Sequence, residues 1–260
     1  MDRGRQDRGA TCAARRPRHG RSVAMKVIAV IGTGKVGAGF ARAAVAAGHD
    51  VVLANSRGPE SLSEIVAALG ERASADTVVG AAERADMLLL AVPLHRYDQL
   101  PAAALDGRIV MDAGNYYTDW SGHIEALDDE STTTSELLQA SFPAARVVKA
   151  FNSIYAEEIA TDARPGGGPR RALPVAGDDA AAKDTVSELI QSIGFDVVDA
   201  GPLREGWRFQ RGTPAYVVPL TATELVRALA DARRYRDMEA DDVFSRRTHL
   251  MPEAERETDI

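Results

Sequence analysis

"MKVIAVIGTGKVG", residues 25–37, runs from a buried apolar stretch into three glycines. The first part has the composition of a strand covered on both faces. Gly32, Gly34 and Gly37 then stand in G-x-G-x-x-G spacing, and an Ala-rich helical pattern follows over 34–47. Such spacing is weak evidence alone, but here it lies between a strand and a helix. In that setting the first glycine permits a tight turn, the second lets the backbone approach a pyrophosphate, and the third lets helix and strand pack closely. The helix start adds free N–H groups and a positive dipole end.

Working outward, "VVLAN" reads as a second strand and 59–70 as a helix, which completes a βαβ unit. The alternation continues with a short strand near 73, a helix over 77–85, "MLLLAVP", a helix near 95–104 and "RIVMDAG". After residue 114 comes a long loop, then a helix "SELLQAS" capped from 131–134, the strand "ARVVKAF" and a short helix in "SIYAEEIA". "ALPVAG" and "FDVVDAG" flank a helix over 178–193, and one long helix is expected over roughly 214–236. The pattern predicts an α/β fold: a Rossmann doubly wound, mostly parallel sheet with a small C-terminal α/β lobe. The expected parts are a disordered basic leader over 1–24, a nucleotide-binding domain over 25–150, the lobe over 151–236 and a charged tail over 237–260. "TDARPGGGPRR" reads as a mobile loop or lobe boundary.

Composition removes several classes of function. The net charge of -7 includes seven arginines and two aspartates in residues 1–24, so the remaining body is more acidic than the total suggests. An acidic body argues against nucleic acid as a partner. No run of residues reaches the ~20 apolar positions of a spanning helix, so no membrane is expected. Cys12 is the only cysteine, which excludes an internal disulfide and fits a reducing cytoplasm. No His, Cys and carboxylate cluster has metal-ligand spacing.

About twenty residues past the glycine loop, an NAD-binding unit would place an Asp or Glu to receive the ribose 2′-hydroxyl. This chain has Asn55, Ser56 and Arg57. Ser56 can donate a hydroxyl and Arg57 can grip a phosphate with two N–H groups, so the strand end favours NADP(H). Thr33, Lys35 and Val36, inside the same loop, are further candidates for cofactor contact. Ligands in such sheets lie beyond the carboxyl ends of the strands, where "AVPLH" and "DAGNYY" end two of them. Pro93 and Leu94 could press on the nicotinamide face, and Asn115 could reach its carboxamide or ribose. His95 is a candidate proton donor, with a helix-capping loop residue as the equal alternative. His49 and His123 read as structural or surface groups.

With these residues placed, the chain resembles the coenzyme F420-dependent NADP oxidoreductases, in their bacterial branch. The resemblance runs from about Met25 to Tyr216 and is carried by "IGTGKVG", "NSRGPESL", "AVPL", "DAGNYY", "SELLQ", "ARVVKAFN", "ALPVAGDD" and "DAGPLREGWRFQ". It implies a hydride carried between NADP(H) and coenzyme F420, with the deazaflavin ring stacked on the nicotinamide in a crevice between domain and lobe. It also implies Thr33, Ser56 and Arg57 around the 2′-phosphate, Val92 and Pro93 by the nicotinamide, and Ala150, Phe151 and Asn152 along the deazaflavin pocket. Asn152 stands where archaeal members have a histidine. Other branches reduce metal ions on a similar body.

Two rival readings are weighed. Reductases of imines or carbonyls share the N-terminal half but need a proton donor and usually a long all-helical second domain; here a second β-α-β pattern follows. A non-catalytic NADP-sensing module would carry a degraded nicotinamide pocket, whereas "AVPLH" and "NYY" are intact. Trp207, Arg208, Phe209 and Arg211 could wall a flavin-like ring or simply pack the lobe. Leu220, Leu225, Val226 and Leu229 form a stripe that could seal a homodimer or fold back on the chain.

Overall fold

Apolar residues in "VIAVI", "MLLL" and "IVMD" leave almost no polar side chain to face water, so these segments need cover on both sides. The structure, a computed structural model, describes residues 13–14 and 25–237. Most of the basic leader, and the charged tail beyond residue 237, lie outside the described residues. Among the described residues nine strands join in one sheet: β1 (Ala13–Ala14), β2 (Val27–Ile31), β3 (Asp50–Ala54), β4 (Ala73–Ala75), β5 (Met87–Leu90), β6 (Ile109–Asp112), β7 (Arg146–Lys149), β8 (Ala172–Gly177) and β9 (Asp196–Gly201). Their spatial order is β1-β9-β8-β7-β6-β5-β2-β3-β4. The strands from β2 to β7 pair in parallel; β8 pairs antiparallel with β7, β9 runs parallel to β8, and β1 closes that edge antiparallel. The order reverses between β2 and β5, the switch point at which such sheets hold their nucleotides.

Residue parity decides which face each side chain joins. Ile28, Val30, Val51, Leu53 and Leu89 enter one buried cluster with Phe40 and Phe151. Ala29, Ile31, Val52, Leu88 and Leu90 enter the other, with Leu105 and Leu138. The glycine-loop helix, Lys35–Ala46, lies against the Ala156–Thr161 helix. Gly39 makes that approach possible, because a Cβ there would stand 2.4 Å from the Ala156 carbonyl oxygen.

The fold is the expected Rossmann sheet, but the C-terminal β-α-β unit builds no sheet of its own. β8, the Ala180–Ile193 helix and β9 extend the first sheet across the boundary expected near residue 150. Two expected helices are also corrected. Residues 94–105 form a 3-10 turn, Leu94–Gln99, and a four-residue helix, Ala102–Leu105. Pro101 holds Leu100 extended between them. The helix expected over 214–236 covers only Ala222–Ala230, where Thr221 and Glu224 form a capping box just after Pro219. Its Leu225 and Leu229 are buried in a third cluster with Ala172, Val198 and Phe209. Leu220 and Val226 of the same stripe are only partly buried against that cluster. Among the described residues no helix is long and apolar enough to cross a membrane.

Candidate functional site

The glycine loop sits where three strand ends meet. Gly32 N–H donates to the Ala54 carbonyl at 2.9 Å, and Ala91 N–H donates to the Ile31 carbonyl at 2.8 Å. The glycines have separate physical reasons. Gly32 has φ +97°, and a Cβ there would lie 2.3 Å from the Ala91 oxygen; at Gly37 it would lie 1.9 Å from the Gly32 oxygen. A Cβ on Gly34 would meet no protein atom within 4 Å. Gly34 begins the Lys35–Ala46 helix without a side-chain cap. Lys35 lies on the exposed side of that turn, and Val36 packs partly against the core. These residues can hold an anion with backbone N–H groups and the helix dipole.

At the end of β3, Asn55 turns back into its own loop. Its amide donates to Ser61 Oγ at 3.0 Å and to Thr33 Oγ1 at 3.5 Å, while its Oδ1 accepts from the Arg57 N–H at 2.9 Å. This Asx-type turn leaves Ser56 and Arg57 exposed beside the glycine loop. Asn55 thus shapes the loop, and the cationic and hydroxyl groups are the ones presented outward. A large concavity of about 450 Å³ lies instead near the amino ends of β2–β4, among Asp50, Arg72 and Arg84, on the side opposite the crevice.

Beyond β5, Val92 is half-buried beside the glycine loop, where a Cβ on Gly32 would lie 2.9 Å from its Cγ1, and Pro93 reaches the surface. Leu94 does not: it is 8% exposed and packs in the core, because the 3-10 turn points it inward. His95 is exposed on the first turn after Pro93, with no hydrogen-bond partner among the described residues to orient it. His49 is buried: its Nδ1 accepts from the Lys26 N–H at 3.2 Å and its Nε2 meets Ser192 Oγ at 2.7 Å. His123 pairs with Asp128 at the surface.

The ends of β6 and β7 are tied by two amides. Asn115 Nδ2 donates to the Asn152 carbonyl at 2.9 Å, and Asn152 Nδ2 donates to Asn115 Oδ1 at 3.2 Å and to the Phe209 carbonyl at 3.0 Å. Ala150, Phe151 and Asn152, expected along the deazaflavin pocket, are all buried. Phe151 adopts φ +63°, which suits its packing edge-on to Phe40 at a centroid distance of 5.0 Å. Among the described residues the Asn152 Oδ1 has no hydrogen-bond partner. Trp207 and Phe209 are buried too, with Arg208 and Arg234 guanidinium groups 4.5 and 4.7 Å from the Trp207 ring centroid. Phe209 packs the core, while Trp207 also lines a concavity with Gln210, Arg211 and Arg234. The exposed aromatic surface belongs to Trp120, 55% exposed, with its ring centroid 4.6 Å from that of Tyr117. Arg211 lies 5.3 Å from the Tyr117 ring.

Under this floor lies a polar group that sequence reading missed. Asp112 Oδ1 accepts from the Tyr97 hydroxyl at 2.7 Å and the Gly114 N–H at 2.8 Å, and Oδ2 accepts from the Ser135 hydroxyl at 2.6 Å. Lys149, 2% exposed, donates to the Gly114 carbonyl, Thr134 Oγ1 and Ser135 Oγ. Burial lowers the Lys149 pKa against the opposing pull of Asp112. Burial, then the charge and hydrogen bond of Asp112, hold the Tyr97 hydroxyl well above its ordinary value. The available signal was a lysine closing the apolar run "RVVK" and an aspartate closing "IVMD".

Residues 27–116 match the family described as NADP oxidoreductase, coenzyme F420-dependent. The solved structure of a hypothetical protein from Sinorhizobium meliloti is similar at 33% identity and a TM-score of 0.65, over 76% of this chain and 96% of the other. A structure from Arthrobacter sp. FB24, assigned as an F420-dependent NADP reductase, is similar at 27% identity and a TM-score of 0.57, over 68% and 86% of the two chains. Metalloreductase STEAP3 of Rattus norvegicus is 31% identical over 74% of this chain, which spans 38% of that protein's length. A Rossmann sheet with its glycine loop at the switch point is common to the fold and the matched segment alike, and it is residues 27–116 that belong to the NADP oxidoreductase, coenzyme F420-dependent family.

Proposed function

We propose that this chain binds NADPH in preference to NADH at the carboxyl end of its sheet and passes a hydride to a deazaflavin of the F420 class. The observation that carries the nucleotide preference is the end of β3. Arg57 and Ser56 are exposed beside the glycine loop, and Asn55, where a carboxylate would repel a 2′-phosphate, is uncharged and turned inward. Backbone N–H groups at Gly34 and the start of its helix would receive the pyrophosphate. Val92 and Pro93 would bound the nicotinamide on one side and the Gly114–Asn115 loop on the other.

NADPH supplies the hydride, and an acceptor that takes it directly needs proximity and orientation more than an acid or base. The exposed, unoriented His95 fits that demand. Tyr117 stands two residues beyond Asn115, within about 7 Å along the chain, and with the exposed Trp120 it offers a stacking surface for a planar ring. Arg211 adds a cation suited to an anionic tail. The rat relative raises a metal ion as the alternative acceptor. Among the described residues, no three His, Cys, Asp or Glu side chains gather to hold one.

The test is anaerobic absorbance of the purified chain with oxidised F420 and either NADPH or NADH, with Arg57→Ala in parallel. Bleaching with NADPH, weakened by Arg57→Ala, is expected. Tight NADPH binding without bleaching would remove the deazaflavin and keep the nucleotide.

A further inference from the structure

The buried group formed by Asp112, Tyr97, Ser135 and Lys149 lies apart from the glycine loop and the end of β3. Removing a carboxylate and an ammonium from water costs several kcal/mol each, and apolar replacements of buried ion pairs are often neutral or stabilising. Here the chain buries both and satisfies them. Ser135 donates to Asp112 and accepts from Lys149 at 3.4 Å, so its hydroxyl links the two charges. Gly206 leaves space for the lysine stem, since a Cβ there would lie 2.8 Å from Lys149 Cδ.

What these bonds fix is the relation between two loops. Tyr97 belongs to the 3-10 turn that begins directly after Pro93. Gly114 immediately precedes Asn115, and it is held from both sides: its N–H by Asp112 and its carbonyl by Lys149 at 3.0 Å. One carboxylate therefore joins the segment after β5 to the segment after β6. A methyl group on Gly114 would lie 2.2 Å from the Tyr97 hydroxyl, so the two segments are already in contact.

We infer that Asp112, Tyr97, Ser135 and Lys149 are positioning residues, which hold the Val92–Pro93 and Gly114–Asn115 loops in register around the nicotinamide and govern hydride transfer rather than nucleotide affinity. This rests on the NADPH reading above. The phosphate grips lie at the ends of β2 and β3, whereas the network braces the ends of β5, β6 and β7, so affinity and ring orientation are separable. A misplacement of about 1 Å in reacting geometry can cost roughly 10²-fold in rate.

The experiment uses the full chain with Tyr97→Phe, Asp112→Asn and Lys149→Met. Three quantities are read: NADPH Kd by titration, the emission enhancement of the bound reduced nicotinamide, and single-turnover hydride transfer to oxidised F420. The expected result is a Kd within about threefold of wild type, loss of the emission enhancement, and transfer slowed about 10- to 100-fold. Emission reports ring immobilisation without any acceptor. Tyr97→Phe removes one hydroxyl and decides the matter if the charge variants fail to fold. Unchanged emission and transfer in a folded Tyr97→Phe variant would overturn the positioning role and leave NADPH binding intact. A wild-type chain that binds no NADPH would overturn the nucleotide reading and this role together.

Discussion

Gly34 and Gly37 stand three residues apart, yet a methyl group means something different at each. At Gly37 it would collide with the Gly32 carbonyl, and at Gly34 it would point into open space at a negative φ. Gly37→Ala should therefore cost about 1–3 kcal/mol of stability by overpacking, measured as a lower urea midpoint. Gly34→Ala should keep the wild-type midpoint and still weaken NADPH binding about tenfold, because the obstruction is to the ligand's approach. Equal loss of stability at both positions would refute this division. Arg57→Ala should raise the NADPH Kd about tenfold or more, leave the NADH Kd unchanged, and so erase the preference for the phosphorylated cofactor. His49 tests a different property. Its Nδ1 accepts a backbone N–H, and burial lowers its pKa, so folding favours the neutral ring. The unfolded chain then binds the extra proton, and this contribution to stability is lost as pH falls from 6.5 through the lower folded value. Urea midpoints should fall between pH 7.5 and 5.5 in wild type and fall less in His49→Gln.

Short elements in this chain begin and end at identifiable residues. Thr133 caps the Thr134–Ser141 helix and Thr221 caps Ala222–Ala230, each with a reciprocal glutamate three residues on. The second helix has only nine residues and would be marginal alone; its Leu225 and Leu229 secure it against β8 and β9. Thr221→Ala should lower stability by about 1 kcal/mol, read from equilibrium urea unfolding. A change near zero would show that packing alone sets the start of this helix. Pro101 interrupts the segment after β5 in the same local way. It ends one turn, starts another, and so lets Tyr97 reach Asp112 from a short 3-10 piece rather than from a continuous helix.

Over the whole molecule, the sheet passes without interruption from β4 to β9 across the boundary expected near residue 150. The joint is antiparallel, with Val148 opposite Gly177 and Lys149 opposite Ala176, and residues of β7 and β8 share one buried cluster. Unfolding in urea should therefore be a single transition, with coincident curves from far-ultraviolet circular dichroism and from Trp207 emission in a Trp120→Phe background. Two separated curves would mean that the C-terminal unit folds as a lobe of its own. The glycine loop, the parallel sheet and the uncharged end of β3 were legible in the sequence because each depends on local chemistry: a turn, a period, a missing carboxylate. The extents of the helices expected near 95–104 and over 214–236 were misread because apolar spacing ran on across Pro101 and Pro219, which cannot donate a helical hydrogen bond. Only the tertiary structure decided that Leu94 and Asn152 turn inward, that β8 joins β7, and that Tyr97, Asp112, Ser135 and Lys149 meet. Those four residues come from four separate segments, and neither periodicity nor motif spacing encodes a contact that exists only when distant strand ends are brought together by burial of the sheet's two faces.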